Sequence, residues 1–447
     1  MTTAPVDLKH TAPFVADWTA LDGQLNGAQP GFVKALRRAG IERFQALGFP
    51  TPRQEAWRLT NVAPIAGTAF HRPAAAPAGI GPEDIRPYVY DGCARLVFLD
   101  GHFAPALSDM AGLPAGVTAS SLADAIRAQP ALVEAHLARH AGLDHPFVAL
   151  NTAFVRDGAF VHVPRGTVVE TPILVLFATT AAAAPTVTYP RLLVVAEAAS
   201  QATVIEAYAG LAERAYLTCP VTEVVVGAGA VVDHYKVQKE SVAAYHVATQ
   251  QIHQDRDSTF DSHAVLTGGG LVRNDVRTVL DGEGGHCTLN GLYVVTGAQH
   301  VDNQMLVEHA RPHCTSFELY KGILDGRSRS VFNGRIHVHP GAQKTDAVQA
   351  NRNLILSAHA IAHSNPQLEI FADDVRCTHG STVGELDDDA VFYLRSRGIG
   401  ADAARSILTY AFASDIVDRI KVPAVRTDLA AFLFDRLPRG EVVREAV

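Results

Sequence analysis

The stretch Leu289-Asn-Gly-Leu-Tyr-Val-Val295 and the turn before it, Gly282-Glu-Gly-Gly285, decide the fold, because they are one copy of a unit that recurs. Turn clusters return about every 27 to 30 residues, at Ala198-Ala-Ser200, Gly227-Ala-Gly229, Asp255-Arg-Asp257, Gly282–Gly285, Arg311-Pro-His313 and Pro340-Gly-Ala342. The segments between them are short and β-rich, as in Thr222-Glu-Val-Val-Val226, and show no sustained 3.6-residue period. A period of this length carried by strands predicts a solenoid whose coils bury their apolar faces on one another. A β-sandwich or barrel also has many short strands, but Asn-Gly and Asp-Gly hairpin signals are few here and the region exceeds 230 residues without a composition break.

Three regions follow. Residues 1–146 read as mostly helical, with apolar Phe32, Val33, Leu36, Ile41, Phe44 and Leu47 at near-helical spacing, a loose Ala/Pro/Gly connection over 63–81, a strand over 95–99 and a helix over 121–140. Residues 147–384 form the strand-built core. Residues 385–447 turn helical again: Asp387–Asp389 suit a helix N-terminus, Arg395 and Arg397 suit its end, and Gly398 stops it. In the next helix Leu408, Phe412, Ile416 and Ile420 step by four and make one apolar stripe.

The chain has 447 residues, of which 48% are hydrophobic and 19% charged, in keeping with a globular protein. Its net charge of -8 argues against nucleic acid as a partner, and no apolar run reaches the roughly 20 residues that span a bilayer. The N-terminus lacks the apolar core of an export signal, and the five scattered cysteines do not form a disulfide framework, so a reducing, cytoplasmic setting is expected.

Few residues offer chemistry. Cys377 and His379 in Arg376-Cys-Thr-His-Gly380 point to one side of an extended chain and could both reach one metal or sulfur atom; on spacing alone, a buried cysteine beside a hydrogen-bonded histidine accounts for them better. His337-Val-His339 makes the same geometric case, while His309, His313 and Cys314 fit no strand face cleanly. Asp373 and Asp374 are adjacent and diverge on a strand, which gives little support to the alternative of a β-helix carbohydrate hydrolase or lyase. There is no GxxxxGK[ST] loop, so any ATP must be handled by another chain.

Several longer stretches resemble the SufB/SufD family of iron-sulfur cluster assembly proteins: Phe332-Asn-Gly-Arg-Ile-His-Val338, Gln349-Ala-Asn-Arg-Asn-Leu-Ile-Leu356, Pro366-Gln-Leu-Glu-Ile370, Asp374-Val-Arg-Cys-Thr-His-Gly-Ser-Thr-Val-Gly384 and Phe392-Tyr-Leu-Arg-Ser-Arg-Gly-Ile399. Upstream, Phe147–Phe154 and Val161–Gly166 are similar too. The form Cys-x-His-Gly at Cys377 and the segment Pro52-Arg-Gln-Glu-Ala-Trp-Arg-Leu-Thr-Asn61 resemble the SufD side of the family.

The resemblance implies a mainly β chain, a right-handed parallel β-helix core flanked by N-terminal and C-terminal helical regions. It implies a non-enzymatic scaffold subunit of a SufBCD complex that supports cluster formation and iron acquisition. The partners it implies are a SufB-like subunit along the β-helix, or a second copy of the chain, and a SufC-like ABC-type ATPase through the C-terminal helices. Cys377 and His379 match family positions at the SufB–SufD interface, where a transient iron-sulfur cluster would be shared. Leu408, Phe412 and Ile416 are then the expected partner-binding stripe, and any flavin belongs to the complex, with no residue of this chain assigned to it.

Overall fold

In the computed structural model, which describes residues 8–25, 29–181 and 185–446, strands outweigh helices, 38% to 27%, and wind into a β-solenoid of about seven turns. The chain alternates between two sheets, and the strands of the coils pair in parallel with those one coil away. In one sheet the register runs Val231↔Thr259↔His286↔Thr315↔Asp346↔Arg376, so the spacing of the turn clusters is the length of a coil. Parallel strands cannot be joined by hairpins, which accounts for the scarcity of hairpin signals.

Alternate side chains of every strand point into the solenoid. Val204, Val232, Phe260, Cys287, Leu289 and Tyr293 belong to this inner core, together with Val194, Val224, Met305 and Phe332 of the facing sheet. The outer face of the first sheet is apolar as well, and on it lie the C-terminal helices Ala401–Val417 and Pro423–Arg436. Polar residues on the facing sheet's outside meet the N-terminal region instead. There Arg273 stacks on Trp57 with its guanidinium 3.7 Å from the ring centroid and donates to the Ala56 carbonyl at 2.7 Å. It also pairs with Asp275 and Asp302, and Thr60 donates to Asp302 Oδ2 at 2.6 Å. The segment Pro52–Asn61 is thus a clamp holding the N-terminal helices to the solenoid.

The structure revises several expected boundaries. Residues 147–153, at the start of the expected strand-built core, lie in the helix Pro146–Ala153, every residue of which is buried. An unbroken apolar run lacks the periodicity that separates buried helix from buried strand. Ala94–Leu99 meets the strand expected over 95–99 and pairs with Ile173–Thr179, while Thr118–Ser121, within the expected helical region, adds an unexpected strand to the facing sheet. The single helix expected over 121–140 is two, Leu122–Ala128 and Pro130–His136, broken where Pro130 starts the second. The C-terminal expectation of a helix over 387–397 is met by Asp388–Ser396, whose N-cap Asp387 accepts from the Asp389 N–H at 2.9 Å.

Candidate functional site at the open end of the solenoid

The two ends of the solenoid differ. At the first, antiparallel strands close the sheets, with Phe98 opposite Phe103 and Thr118 opposite His162. At the other, Ile361–Ile370 and Arg376–Gly384 are the terminal strands of their sheets, each paired on one side only. The C-terminal helices leave this end uncovered and fold back along the outer wall. The edge is apolar: Phe371 is 58% and Val383 51% exposed, and Ile361 and Ile370 are exposed beside them. Unpaired backbone next to exposed apolar side chains is a surface built for strand or sheet contact.

Cys377 and His379 sit on this last coil. Their columns show which way they face: Cys287↔Ser316↔Ala347↔Cys377 and Leu289↔Glu318↔Gln349↔His379, both starting from residues of the inner core. Both side chains therefore stand over the mouth of the solenoid, Cys377 half-buried against Ala347, Ile336 and Val338 and His379 exposed. Strand geometry separates their Cα atoms by about 7 Å, close enough for a thiolate and an imidazole to share one metal or cluster edge. Burial, together with the nearby Asp346 carboxylate, raises the Cys377 thiol above its ordinary value, and the Ala347 N–H only partly offsets this. The thiol is protonated at neutral pH until a cation or a partner draws the proton off.

The other candidates do not join them. His337 is on the outer face with Nδ1 2.9 Å from Glu369 Oε2, its ring 4.6 Å from His339 and 5.4 Å from Phe371. His309 is buried, its Nε2 2.9 Å from Ser316 Oγ, and burial lowers it to about 4. Cys314 is buried and donates to the Gly282 carbonyl at 3.2 Å, while His313 is a surface residue near Glu283. Asp373 and Asp374 lie exposed in a surface bend, Asp374 paired with Lys344. Among the described residues no group of three or more His, Cys, Asp or Glu converges as a metal site would.

The expected partner stripe needs correction. Ile416 is 0% exposed and Ile420 is buried, both packed on the solenoid wall with Val237, Leu319 and Ile323. Phe412 is half-buried, its ring 4.7 Å from the Lys321 ammonium, and Leu408 is half-buried too. An amphipathic stripe reports that something covers it without saying what, and here its own chain does. The apolar residues that the helical region does expose are Phe392 and Tyr393, at 70% and 55%, on the preceding helix. In the sequence their signal is a pair of large aromatics flanked by Asp388, Asp389 and Arg395 on a short helix.

Comparison with known proteins places the chain in a family. Residues 177–412 match the family described as SUF system FeS cluster assembly, SufBD core domain, and residues 14–175 match the SufBD protein N-terminal region. The chain is 32% identical over 409 residues to the iron-sulfur cluster assembly protein SufD of Escherichia coli, covering 90% of this chain and 92% of that protein. It is 31% identical over 410 residues to an iron-sulfur cluster assembly SufBD family protein of Synechocystis, covering 90% of each. The SufD of Bacillus subtilis is 26% identical over 414 residues, 91% of this chain and 94% of that protein. The chain belongs to the SufBD family of iron-sulfur cluster assembly proteins and is SufD-like.

Proposed function

We propose that this chain is a non-enzymatic scaffold subunit that pairs through the open end of its solenoid with a SufB-like subunit, so that Cys377 and His379 face the partner across the joint. The observation that supports this most is that the two residues share the uncapped last coil and stand over its mouth. An iron-sulfur cluster assembled there is cargo: two ligands from each side hold it, and parting of the subunits releases it. The thiolate suits iron and sulfane sulfur, and the imidazole suits iron.

A SufC-like ATPase would dock on the C-terminal helical region, with Phe392 and Tyr393 as anchors in place of the buried stripe. All five cysteines are unpaired, in keeping with a reducing, cytoplasmic setting. Co-expression with SufB-like and SufC-like chains, purifying on a tag carried by this chain, should recover all three; recovery of this chain alone at every salt concentration sinks the reading. Cys377→Ala and His379→Ala should leave the complex assembled while lowering cluster yield on anaerobic reconstitution at least several-fold. Undiminished cluster absorbance in both variants would remove these two residues from the site.

A further inference from the structure

Between the helices Pro130–His136 and Pro146–Ala153 the chain crosses the outside of the facing sheet as a strap, residues 137–145, with no helix or strand of its own. Its polar hold is concentrated on one group. The N–H groups of Ala138, His140 and Ala141 all donate to the buried Glu223 carboxylate, at 2.8, 3.0 and 3.1 Å. Ala138 has a φ of +57°, a left-handed conformation that alanine keeps only where its surroundings fix it. Apolar support is small: Leu137 joins the cluster of Leu193 and Val195, and Ala141 that of Val148 and Val221.

The strap's other contact is between two imidazoles. The His140 ring stacks on His253 with the centroids 4.7 Å apart and the planes at 29°. His253 stands on the strand Tyr245–Gln254 with its Nε2 3.3 Å from Asp281 Oδ2, so a proton on His253 has a counter-charge. A proton on His140 has no acid to itself, because Glu223 is shared by Arg191 and the three N–H groups. Two charged rings in face contact repel, so the stack holds one proton and not two.

We propose that residues 137–145 are an acid-labile strap: once both imidazoles are charged, the His140–His253 stack parts and the strap lifts from Glu223. Gly142 and His145 wall a groove of about 580 Å3 that Thr249, Gln251 and Asp275 also line, so lifting opens that groove and uncovers the Arg191–Glu223 pair. Burial and then the charge of His253 lower His140 below its ordinary value, against the weaker opposing effect of Glu223. A histidine lowered in the closed form holds the strap fully above its released value of about 6.5, and that hold is lost as pH falls through the lowered value.

The charged groups around the stack preserve this direction. His136 also opposes a proton on His140 and is itself lowered, by burial first and then by His162, against Glu223 and Glu197. Burial would raise Glu223, yet Arg191 and the three N–H groups hold it below its ordinary value, so it stays ionised while the imidazoles titrate. Arg139 turns back to the Glu134 carbonyl at 3.1 Å, Asp144 pairs with Arg43, and Arg311 lies 3.2 Å from Asp281.

Amide hydrogen exchange of the full chain, followed by mass spectrometry between about pH 7.5 and 5, tests the strap. Exchange in peptides covering 138–141 is read as a ratio to the buried strand His286–Val295 in the same sample, which cancels the intrinsic effect of pH. In wild type the relative protection of 138–141 should fall at least about fivefold on acidification, the worth of one lost hydrogen bond. His140→Phe keeps a stacking ring that cannot be charged and should hold its protection throughout. His253→Gln removes the opposing charge and should lose clearly less protection than wild type. A wild-type strap that stays protected to pH 5 overturns the proposal, as does an equal loss in wild type and both variants.

Discussion

Arg191 and Glu223 are both fully buried where the solenoid meets the N-terminal region, and neither is isolated. Glu223 pairs with Arg191 and accepts the backbone N–H groups of Ala138, His140 and Ala141, while Arg191 also reaches Asn151 and Thr152. Burial by itself would raise the Glu223 carboxyl, but Arg191 and the three N–H groups outweigh it and hold it below its ordinary value. Glu223→Gln leaves a buried guanidinium without its counter-charge and should cost about 3 to 5 kcal/mol at pH 7 by urea unfolding. A carboxyl lowered in the folded state stabilises fully above its unfolded value of about 4.3 and loses that contribution as pH falls through its folded value. The gap between wild type and Glu223→Gln should therefore narrow below about pH 4, and a gap independent of pH would show that lost packing explains the variant. The pair was not read from the sequence, although a signal existed. Arg191/Glu223, Glu206/His234 and Arg273/Asp302 are separated by 32, 28 and 29 residues, one coil each. Opposite charges at the repeat spacing mark stacked neighbours, and finding them needs the coil length first.

At the scale of elements, what was legible was periodicity and what was not was the identity of the covering surface. The stripe on Ala401–Val417 is apolar as read, yet Ile416 and Ala413 close against strands 286–295 and 315–324 of the same chain. The same ambiguity hid the helix Pro146–Ala153, whose residues are buried on all sides and so have no polar face to betray a period. Substitutions separate the two kinds of apolar residue. Ile416→Asp puts a charge into a closed interface and should destabilise the chain by at least about 3 kcal/mol, seen as a lower urea midpoint. Phe392→Asp with Tyr393→Ser alters a face already in water and should move stability by no more than about 0.5 kcal/mol each. The latter pair should nonetheless abolish recovery of the SufC-like ATPase while sparing the SufB-like subunit. Retention of the ATPase by that folded variant would return the docking surface to another part of the helical region.

At the scale of the whole molecule, the two ends of the solenoid are asymmetric, and the proposed pairing uses that asymmetry. A solenoid exposes backbone only at its ends, and an end that stays open either aggregates or binds. The first end is shut by antiparallel strands, whereas the last coil keeps one side of Ile361–Ile370 and Arg376–Gly384 free, next to Phe371 and Val383. The repeat made the solenoid visible in sequence, but the open end is a property of where the repeats stop and the helices turn away. That turning away depends on contacts more than 90 residues apart in sequence, such as Lys321 Nζ donating to the Phe412 carbonyl at 3.0 Å and the Lys421 ammonium bridging Asp233 and Asp261. Phe371→Lys with Val383→Lys would place like charges on both rims. Two copies of this chain meeting end to end would then oppose lysine to lysine, so any concentration-dependent dimer in sedimentation velocity should be lost. A SufB-like partner should co-purify at least tenfold less, because charged groups would have to lose their hydration to enter the joint. The melting temperature of the isolated chain should hold, since both side chains are already in solvent. Cluster yield should fall with pairing even though Cys377 and His379 are intact, and that sets this variant apart from Cys377→Ala, which spares pairing. Normal recovery of the partner by the doubly charged chain would move the joint away from the open end and leave the proposed ligands, Cys377 and His379, facing solvent.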